Sequence, residues 1–117
     1  MIEIIIAILI SIESGGNASA VGDNGKAVGI LQIHPIMVRE VNRISGSHYI
    51  YKDRLNPERS KEMCRIFLKY QVKRWEKRYG SKPTAVQLAC SWNSGSIFRE
   101  ASESYKKKVR AKINEKI

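Results

Sequence analysis

Residues 2–17 read IEIIIAILISIESGGN, and the organisation of the chain can be worked out from this stretch. Residues 2–13 are almost entirely apolar, and an Ile-rich run of this kind fits a buried helix or a strand by periodicity alone. The length of the run and the Ser-Gly-Gly stop that follows it favour a helix. Glu13 therefore stands at the carboxyl end of a buried apolar helix, where water solvates a charged carboxylate poorly.

Burial of Glu13 would raise the pKa of its carboxyl group, and the negative potential at a helix carboxyl terminus would act in the same direction. A glutamic acid that stays protonated near neutral pH can donate a proton to a leaving oxygen. The alternative is that Glu13 ends the helix in solvent, where most glutamates are found. The position of Glu13 is therefore compatible with a general acid but does not by itself establish that role.

Size and charge narrow the classes of protein that this chain can belong to. The chain has 117 residues, 43% of them hydrophobic, which fits a single domain over residues 1–117 with a modest core. It carries 21 Lys and Arg residues against 11 Asp and Glu, a formal net charge of +10. This charge predicts attraction to a polyanion, and nucleic acid, anionic membranes and bacterial wall polymers all qualify.

The rest of the chain predicts a mainly α fold. Residues 14–29 hold five of the eight glycines and predict a structured loop, and a second loop covers residues 45–57. We find no convincing pair of strands, and the loops are long enough to shape a cleft. Pro57, Gly80 and Thr84 are typical helix-boundary residues. The further predicted helices are residues 36–44, 57–79, 85–93 and 102–114.

Two features of the sequence exclude common alternatives. The apolar residues 4–10 are too few for a membrane span, and Glu3 occupies a place where a secretion signal would carry a basic residue. We therefore expect a core helix, no stable membrane insertion and no signal peptide. Cys64 and Cys90 have no metal-ligand spacing, and their apolar neighbours favour buried free thiols over a disulfide.

Three ordered blocks of sequence carry a family resemblance. ESGGN at 13–17, GDNGKAVGILQIHP at 22–35 and ACSWNSG at 89–95 together resemble the soluble lytic transglycosylase and goose-type lysozyme superfamily, most closely its small phage and bacterial members. The resemblance spans about residues 8–110. It implies a lysozyme-like α-helical domain with a loop-lined substrate cleft. It also implies cleavage of the β-1,4 bond between N-acetylmuramic acid and N-acetylglucosamine, with no metal or organic cofactor.

The resemblance assigns the general acid/base role to Glu13. Ser14 would help to orient the substrate or the carboxyl group, although a Ser-Gly-Gly helix stop explains it equally well. Gln32 would hydrogen-bond sugar near the scissile bond, or would be a satisfied polar group beside a turn. Asn93 would contact substrate or form the turn Asn93-Ser94-Gly95.

Two aromatic residues complete the implied substrate site. Trp92 stands where the superfamily most often has tyrosine, so it can stack on a sugar face or belong to the core. Tyr105 matches a tyrosine of the last helix that reaches the cleft, but a lone tyrosine on an amphipathic helix is commonly a core residue. Leu31 stands where methionine is usual. His34 is expected in the cleft wall or in packing, without a catalytic role.

Asp23 decides the expected reaction. Hydrolysis needs a second carboxyl group, whereas a transglycosylase uses one and lets the muramyl hydroxyl close a 1,6-anhydro ring. Asp23 resembles the aspartate that positions water in goose-type enzymes, yet the sequence Asp-Asn-Gly is also a strong turn signal. The balance favours a lytic transglycosylase, with a hydrolytic muramidase using Asp23 as the alternative.

Two rival classes stay open at this point. The charge and the basic run KKKVR at 106–110 would fit a nucleic-acid-binding protein, although we find no nucleic-acid-binding motif. A sugar-binding module without catalysis is a third class, and the full motif around Glu13 disfavours it. We expect a monomer that binds peptidoglycan glycan strands and not nucleic acid. Lacking a signal peptide, it would be made in the cytoplasm and reach the wall through export, lysis or virion delivery.

Overall fold

The first helix, α1, explains why the apolar stretch folds as it does. The structure is a computed structural model that describes residues 1–116, and α1 spans Ile2–Glu13. Its side chains Ile5, Ile6, Ile8 and Leu9 are buried, so one face of the helix forms the centre of the core. The prediction of a helix over residues 2–13 is confirmed. Its last turn contains no basic residue that would offset the charge of Glu13.

Residues 1–116 contain four more α-helices, and the predicted mainly α class is confirmed. They are α2 (Pro35–Ser45), α3 (Pro57–Tyr79), α4 (Ala85–Ser94) and α5 (Glu103–Lys116). They pack so that α1 contacts α3, α4 and α5, and buried residues from all of these elements join into one core. A single turn of 3₁₀-helix, Tyr51–Leu55, lies within the second predicted loop.

The helix boundaries follow local signals in the sequence. The side chain of Asn56 accepts a hydrogen bond from the Arg59 amide at the start of α3, and Gly80 ends that helix with a φ of 70°. At the start of α4, Thr84 and Gln87 form a reciprocal capping box. Such signals act within a few residues, so they can be recognised in the sequence. The predicted bounds of α3 are confirmed, and those of α2 and α5 differ from the structure by one or two residues.

Residues 14–29 contain a pair of strands, which the sequence did not predict. A short antiparallel hairpin joins β1 (Val21–Gly22) to β2 (Ala27–Val28). Asp23 and Asn24 turn the chain with φ values of 50° and 57°, a left-handed conformation that Asp and Asn tolerate well. Two-residue strands have too little alternation to be seen in sequence, and for that reason the prediction was wrong here.

One further turn was placed slightly wrong. Asn93 and Ser94 are the last residues of α4, and Gly95 alone leaves the helix, with a φ of 83°. The cysteine prediction is confirmed, since Cys64 and Cys90 are both buried and free.

Candidate active site

Glu13 is the last residue of α1 and lies at the edge of the hydrophobic core. Its side chain is partly buried and lines a cleft of about 730 Å³. Because Ile5, Ile8 and Leu9 are packed in the core, the end of α1 is held in a defined place. The carboxyl group therefore faces the cleft from a rigid element.

Tyr105 of α5 contacts Glu13 directly. Its hydroxyl donates a 2.8 Å hydrogen bond to Oε2 of Glu13, across 92 positions of sequence. Tyr105 is only 8% exposed, and both burial and the neighbouring carboxylate raise the pKa of its hydroxyl, so it keeps its proton. The contact occupies one carboxyl oxygen and leaves Oε1 of Glu13 without a hydrogen bond inside the described chain.

The surroundings of Glu13 favour its protonated form. Burial raises the pKa of its carboxyl group above the ordinary value, and this is the largest effect. The hydrogen bond from Tyr105 and the positive charge of Lys108 lower the pKa by less. The net direction is upward, as the position of the residue in the sequence predicted.

Two walls enclose the cleft. One wall comes from the hairpin, the segment after it and the start of α2, and it includes Asp23, Gln32 and His34. The other comes from α3, α4 and the loop after α4, and it includes Asn93 and Arg74. Three stretches of chain that are far apart in sequence therefore meet around Glu13.

Gln32 is held rigidly in the first wall. Its backbone has a φ of 50°, and its amide nitrogen donates 3.0 Å hydrogen bonds to the carbonyl oxygens of Ala20 and Gly29. The side-chain oxygen lies against Gly22, where a Cβ atom would come within 2.7 Å of it. Gln32 therefore presents a fixed acceptor at the cleft.

Asp23 occupies the exposed turn of the hairpin. Its side chain is 62% exposed, and its Oδ2 lies 3.1 Å from Nε2 of His34. Both residues line the cleft. The geometry supports Asp23 as a turn former and a partner of His34. Asp23 is more exposed than Glu13.

Trp92 and Asn93, adjacent in α4, have different surroundings. Trp92 is 6% exposed, donates from Nε1 to the Leu31 carbonyl at 3.1 Å and packs edge-on against Phe67. Most of its ring belongs to the core, although it reaches the cleft lining. Asn93 is exposed on the cleft, and among the described residues nothing hydrogen-bonds its side chain.

Ser14 stands apart from the cleft lining. Its hydroxyl donates a 2.7 Å hydrogen bond to the Ile30 carbonyl and accepts one from the Gly16 amide at 3.1 Å. These contacts tie the end of α1 to the segment that carries Gln32. The geometry supports a role in stopping the helix and holding Glu13, and it does not bring the hydroxyl to the substrate cleft.

The structure adds three charged residues that sequence reasoning missed. Glu40, Arg74 and Arg99 all line the cleft. The Arg43 guanidinium donates hydrogen bonds to the Glu40 carboxylate and lowers its pKa, so Glu40 stays ionised. No local signal marks these residues, because each lies in an ordinary polar position and reaches the cleft only through tertiary packing.

Within residues 1–116, no three His, Cys, Asp or Glu side chains gather as metal ligands. None of the helices described here combines the length and the apolar character that crossing a bilayer requires.

An α-helical fold with a partly buried glutamic acid in the lining of its cleft is typical of lysozyme-like, glycan-cleaving proteins. Residues 2–114 match the family model described as the Transglycosylase SLT domain, and the chain belongs to this family. Its members are peptidoglycan lytic transglycosylases, which are glycosidase-type enzymes. The protein is therefore an enzyme with peptidoglycan as its substrate. No curated protein and no solved structure matches the chain significantly.

Proposed function

We propose that this enzyme cleaves the β-1,4 bond between N-acetylmuramic acid and N-acetylglucosamine and leaves 1,6-anhydromuramic ends. Glu13 protonates the glycosidic oxygen as its bond to the muramyl C1 breaks. The resulting carboxylate then takes the proton of the muramyl C6 hydroxyl while that oxygen bonds to C1. One carboxyl group serves both steps, and no water is consumed.

A contrast among the acids of the cleft carries this proposal. Burial raises the pKa of Glu13, whereas Asp23 is exposed beside His34 and Glu40 is held ionised by Arg43. Glu13 alone of these three combines burial with an oxygen free for substrate. A reaction with a single acid/base group fits this arrangement better than one with two working carboxyl groups.

Gln32 and Asn93 are the proposed hydrogen-bonding partners of the glycan. Gln32 presents an immobilised oxygen that can accept from a sugar hydroxyl or acetamido N–H. Asn93 presents an exposed amide in the lining of the same cleft. Together they would hold a strand across Glu13, with the edge of Trp92 behind it.

The alternative product comes from hydrolysis, with Asp23 positioning a water molecule. Asp23 lines the cleft, which supports this alternative, but its exposure and its contact with His34 favour a structural role. The basic composition, which alone would also fit a nucleic-acid-binding protein, supports attraction of the enzyme to the anionic wall.

Replacing the acid tests the proposal. We expect Glu13→Gln to fold normally and to lose about 10²–10⁴-fold in the rate of sacculus digestion, the range of general acid–base catalysis. Mass spectrometry of the wild-type products should show muropeptides one water lighter than hydrolysis products.

Asp23→Asn and Glu40→Gln are matched controls, since each removes one carboxylate from the same cleft. Both should keep most of the activity and give anhydro products. Full activity in Glu13→Gln would refute the acid/base assignment. Reducing ends in the wild-type products, lost in Asp23→Asn, would establish the hydrolytic alternative.

A further inference from the structure

Arg74 of α3 lies in the lining of the catalytic cleft and is held there from several sides. Its Nη1 donates hydrogen bonds to Oε1 of Gln71 at 3.1 Å and to Oγ of Ser96 at 3.3 Å. Its guanidinium carbon lies 4.9 Å from the ring centroid of Phe98 and 5.7 Å from that of Tyr70. An arginine held in this way has little side-chain freedom left to lose when a ligand binds.

The position of Arg74 depends on a buried polar residue. Gln71 is only 1% exposed, and its Oε1 accepts from the Ile97 amide at 2.9 Å as well as from Arg74. Gln71 therefore joins α3 to the loop after α4, the loop that also supplies Ser96 and Phe98. Because a buried oxygen without partners would be costly, these contacts fix the orientation of the guanidinium group.

The guanidinium group of Arg74 still has free donors. Both of its hydrogen bonds come from Nη1. Among residues 1–116, Nε and Nη2 of Arg74 have no hydrogen-bond acceptor, and no carboxylate forms an ion pair with the group. Nε and Nη2 present parallel N–H groups, the arrangement that binds a carboxylate through two hydrogen bonds.

Positive charge exceeds negative charge around Arg74. Arg99 also lines the cleft, and its Nη1 donates to the neutral Ser94 carbonyl at 3.0 Å. The acid in this part of the cleft is Glu40, which already accepts hydrogen bonds from Arg43. The charge of Glu40 is therefore balanced by Arg43, and the charges of Arg74 and Arg99 remain available to an anion.

We propose that Arg74, with the charge of Arg99 added to its own, binds the free lactyl carboxylate of a muramic acid that has lost its peptide. The inference rests on the proposed function, since that function places a muramic acid in this cleft. The sugars of the strand are otherwise neutral, and the lactyl carboxyl group is charged only where no peptide is attached to it. The enzyme therefore prefers peptide-free stretches of the strand.

A carboxylate uses this site more fully than the neutral groups of the sugars do. An acetamido carbonyl or a hydroxyl can accept from Arg74, but it leaves the net positive charge of the site unpaired. A carboxylate accepts two parallel hydrogen bonds and also neutralises charge, which makes the contact stronger. The preferred substrate is then the product of an amide hydrolysis, the reaction that separates the peptide from the lactyl group.

The test compares two strands that differ only in the charge of the lactyl group. Strands stripped of peptide by an amidase carry lactyl carboxylates, and coupling of ammonia to these groups gives neutral lactamide strands. We expect the wild type to cut the carboxylate strands with a KM about fivefold lower, the effect of one partly exposed ion pair. In Arg74→Gln the two KM values should be nearly equal.

Arg78→Gln is the matched control for the loss of one positive charge. Arg78 lies one helical turn after Arg74, and its guanidinium also packs on Phe98, at 5.2 Å, but it lines the neighbouring groove instead of the catalytic cleft. This variant should keep the preference of the wild type.

Three outcomes of this comparison would overturn the inference. One is a wild type without the preference, and another is an Arg74→Gln variant that keeps it. Equal loss in Arg74→Gln and Arg78→Gln would also overturn it, because the preference would then reflect general attraction of a polyanion to a basic protein. A lower KM for peptide-bearing strands than for carboxylate strands would contradict the preference for peptide-free stretches.

A binding measurement on the wild type keeps the test independent of catalysis and of the folding of variants. N-acetylmuramic acid should shift the NMR signal of the Arg74 Nε–H group more strongly than its lactamide does. The Nε–H signal of Arg54, which donates to the Tyr51 carbonyl at 2.8 Å outside the cleft, is the internal reference. Equal shifts of the Arg74 signal with both compounds would overturn the inference.

The failure of this inference can be told apart from the failure of the proposed function. A carboxylate-dependent shift at Arg74 without any cleavage of strands would refute the proposed function and keep this inference. Anhydro products that form without any preference for the lactyl carboxylate would do the reverse.

Discussion

Glu13, the proposed acid/base residue, accepts a hydrogen bond from Tyr105. Burial raises the pKa of the Glu13 carboxyl group, while the Tyr105 hydroxyl stabilises its charged form through a 2.8 Å hydrogen bond. The two effects oppose each other, so the carboxyl group can be protonated before bond cleavage and still be a stable carboxylate after it. This balance is what a single acid/base residue requires.

Removing the hydroxyl at position 105 should shift this balance in a known direction. In Tyr105→Phe the carboxylate loses its donor, so the pKa of Glu13 rises further above its ordinary value. A general acid loses activity as pH rises through its pKa. The alkaline limb of the profile of kcat/KM against pH should therefore move to higher pH, as measured by the release of soluble muropeptides.

Tyr49→Phe is the matched control for this shift. The Tyr49 hydroxyl donates a 2.8 Å hydrogen bond to Glu62, so the same atom is removed from a similar Tyr–Glu pair outside the cleft. Its pH profile should coincide with that of the wild type. An alkaline limb in Tyr105→Phe that stays in place or moves to lower pH would contradict the electrostatic role of Tyr105.

At the scale of elements, the segment from the hairpin to Gln32 forms a wall that depends on one glycine. Gly29 has a φ of 86°, and a Cβ atom there would lie 1.9 Å from the Arg54 carbonyl oxygen. Its amide donates to the Ala20 carbonyl at 2.9 Å, and its own carbonyl accepts from Gln32. Because the 3₁₀-helix approaches so closely, no side chain fits at Gly29. The Gly29 carbonyl also helps to hold the Gln32 side chain.

Gly29→Ala should destabilise the protein by about 2–4 kcal/mol, since it combines left-handed strain with a backbone clash. Urea unfolding measures this change in the free energy of unfolding. Gly46→Ala is the matched control, because Gly46 has a φ of 70° but nothing within 4 Å of the added atom, and strain alone should cost about 1 kcal/mol. Equal losses in the two variants would contradict the close-contact argument.

At the scale of the whole molecule, the buried acid links stability to pH. The folded state raises the pKa of Glu13 above its unfolded value, so between these two pKa values the folded state holds more protons. The contribution of Glu13 to stability therefore falls as pH rises through this interval. Below the pKa of the unfolded state, the carboxyl group is neutral in both states. The free-energy cost of burying a charged carboxylate is then absent.

Glu13→Gln should remove this pH-dependent cost. The amide is neutral at every pH, and its oxygen can still accept from Tyr105. The variant should therefore gain in melting temperature relative to the wild type as pH rises from about 4 to neutrality, with the two proteins closest at the acid end. Thermal unfolding at several pH values measures this difference.

An exposed glutamate supplies the comparison for this stability test. Glu58, exposed at the start of α3 and paired with Lys61, should give no gain at neutral pH when changed to Gln. A Glu13→Gln variant whose difference from the wild type is constant across pH would refute the linkage. Such a result would also remove the support that burial lends to the acid role.

Much of this protein could be predicted from sequence because its signals are local. The apolar run of α1 ends at Glu13, Pro57 and Gly80 bound α3, and Thr84 caps α4, each within a few residues of the feature it sets. The position of Glu13 at the end of a buried helix was likewise visible in the chain. The hairpin of two-residue strands was missed because its alternation is too short to be a signal.

The tertiary structure decided what each side chain meets. It buried most of Trp92 against Phe67, turned the Ser14 hydroxyl to Ile30, and brought Arg74 and Arg99 to the cleft. These outcomes depend on contacts between residues far apart in sequence, which no local pattern encodes. Local signals in the sequence thus specified the helices, their ends to within one or two residues, and the location of the acid. Packing alone decided which partners surround that acid and which surfaces lie open beside it.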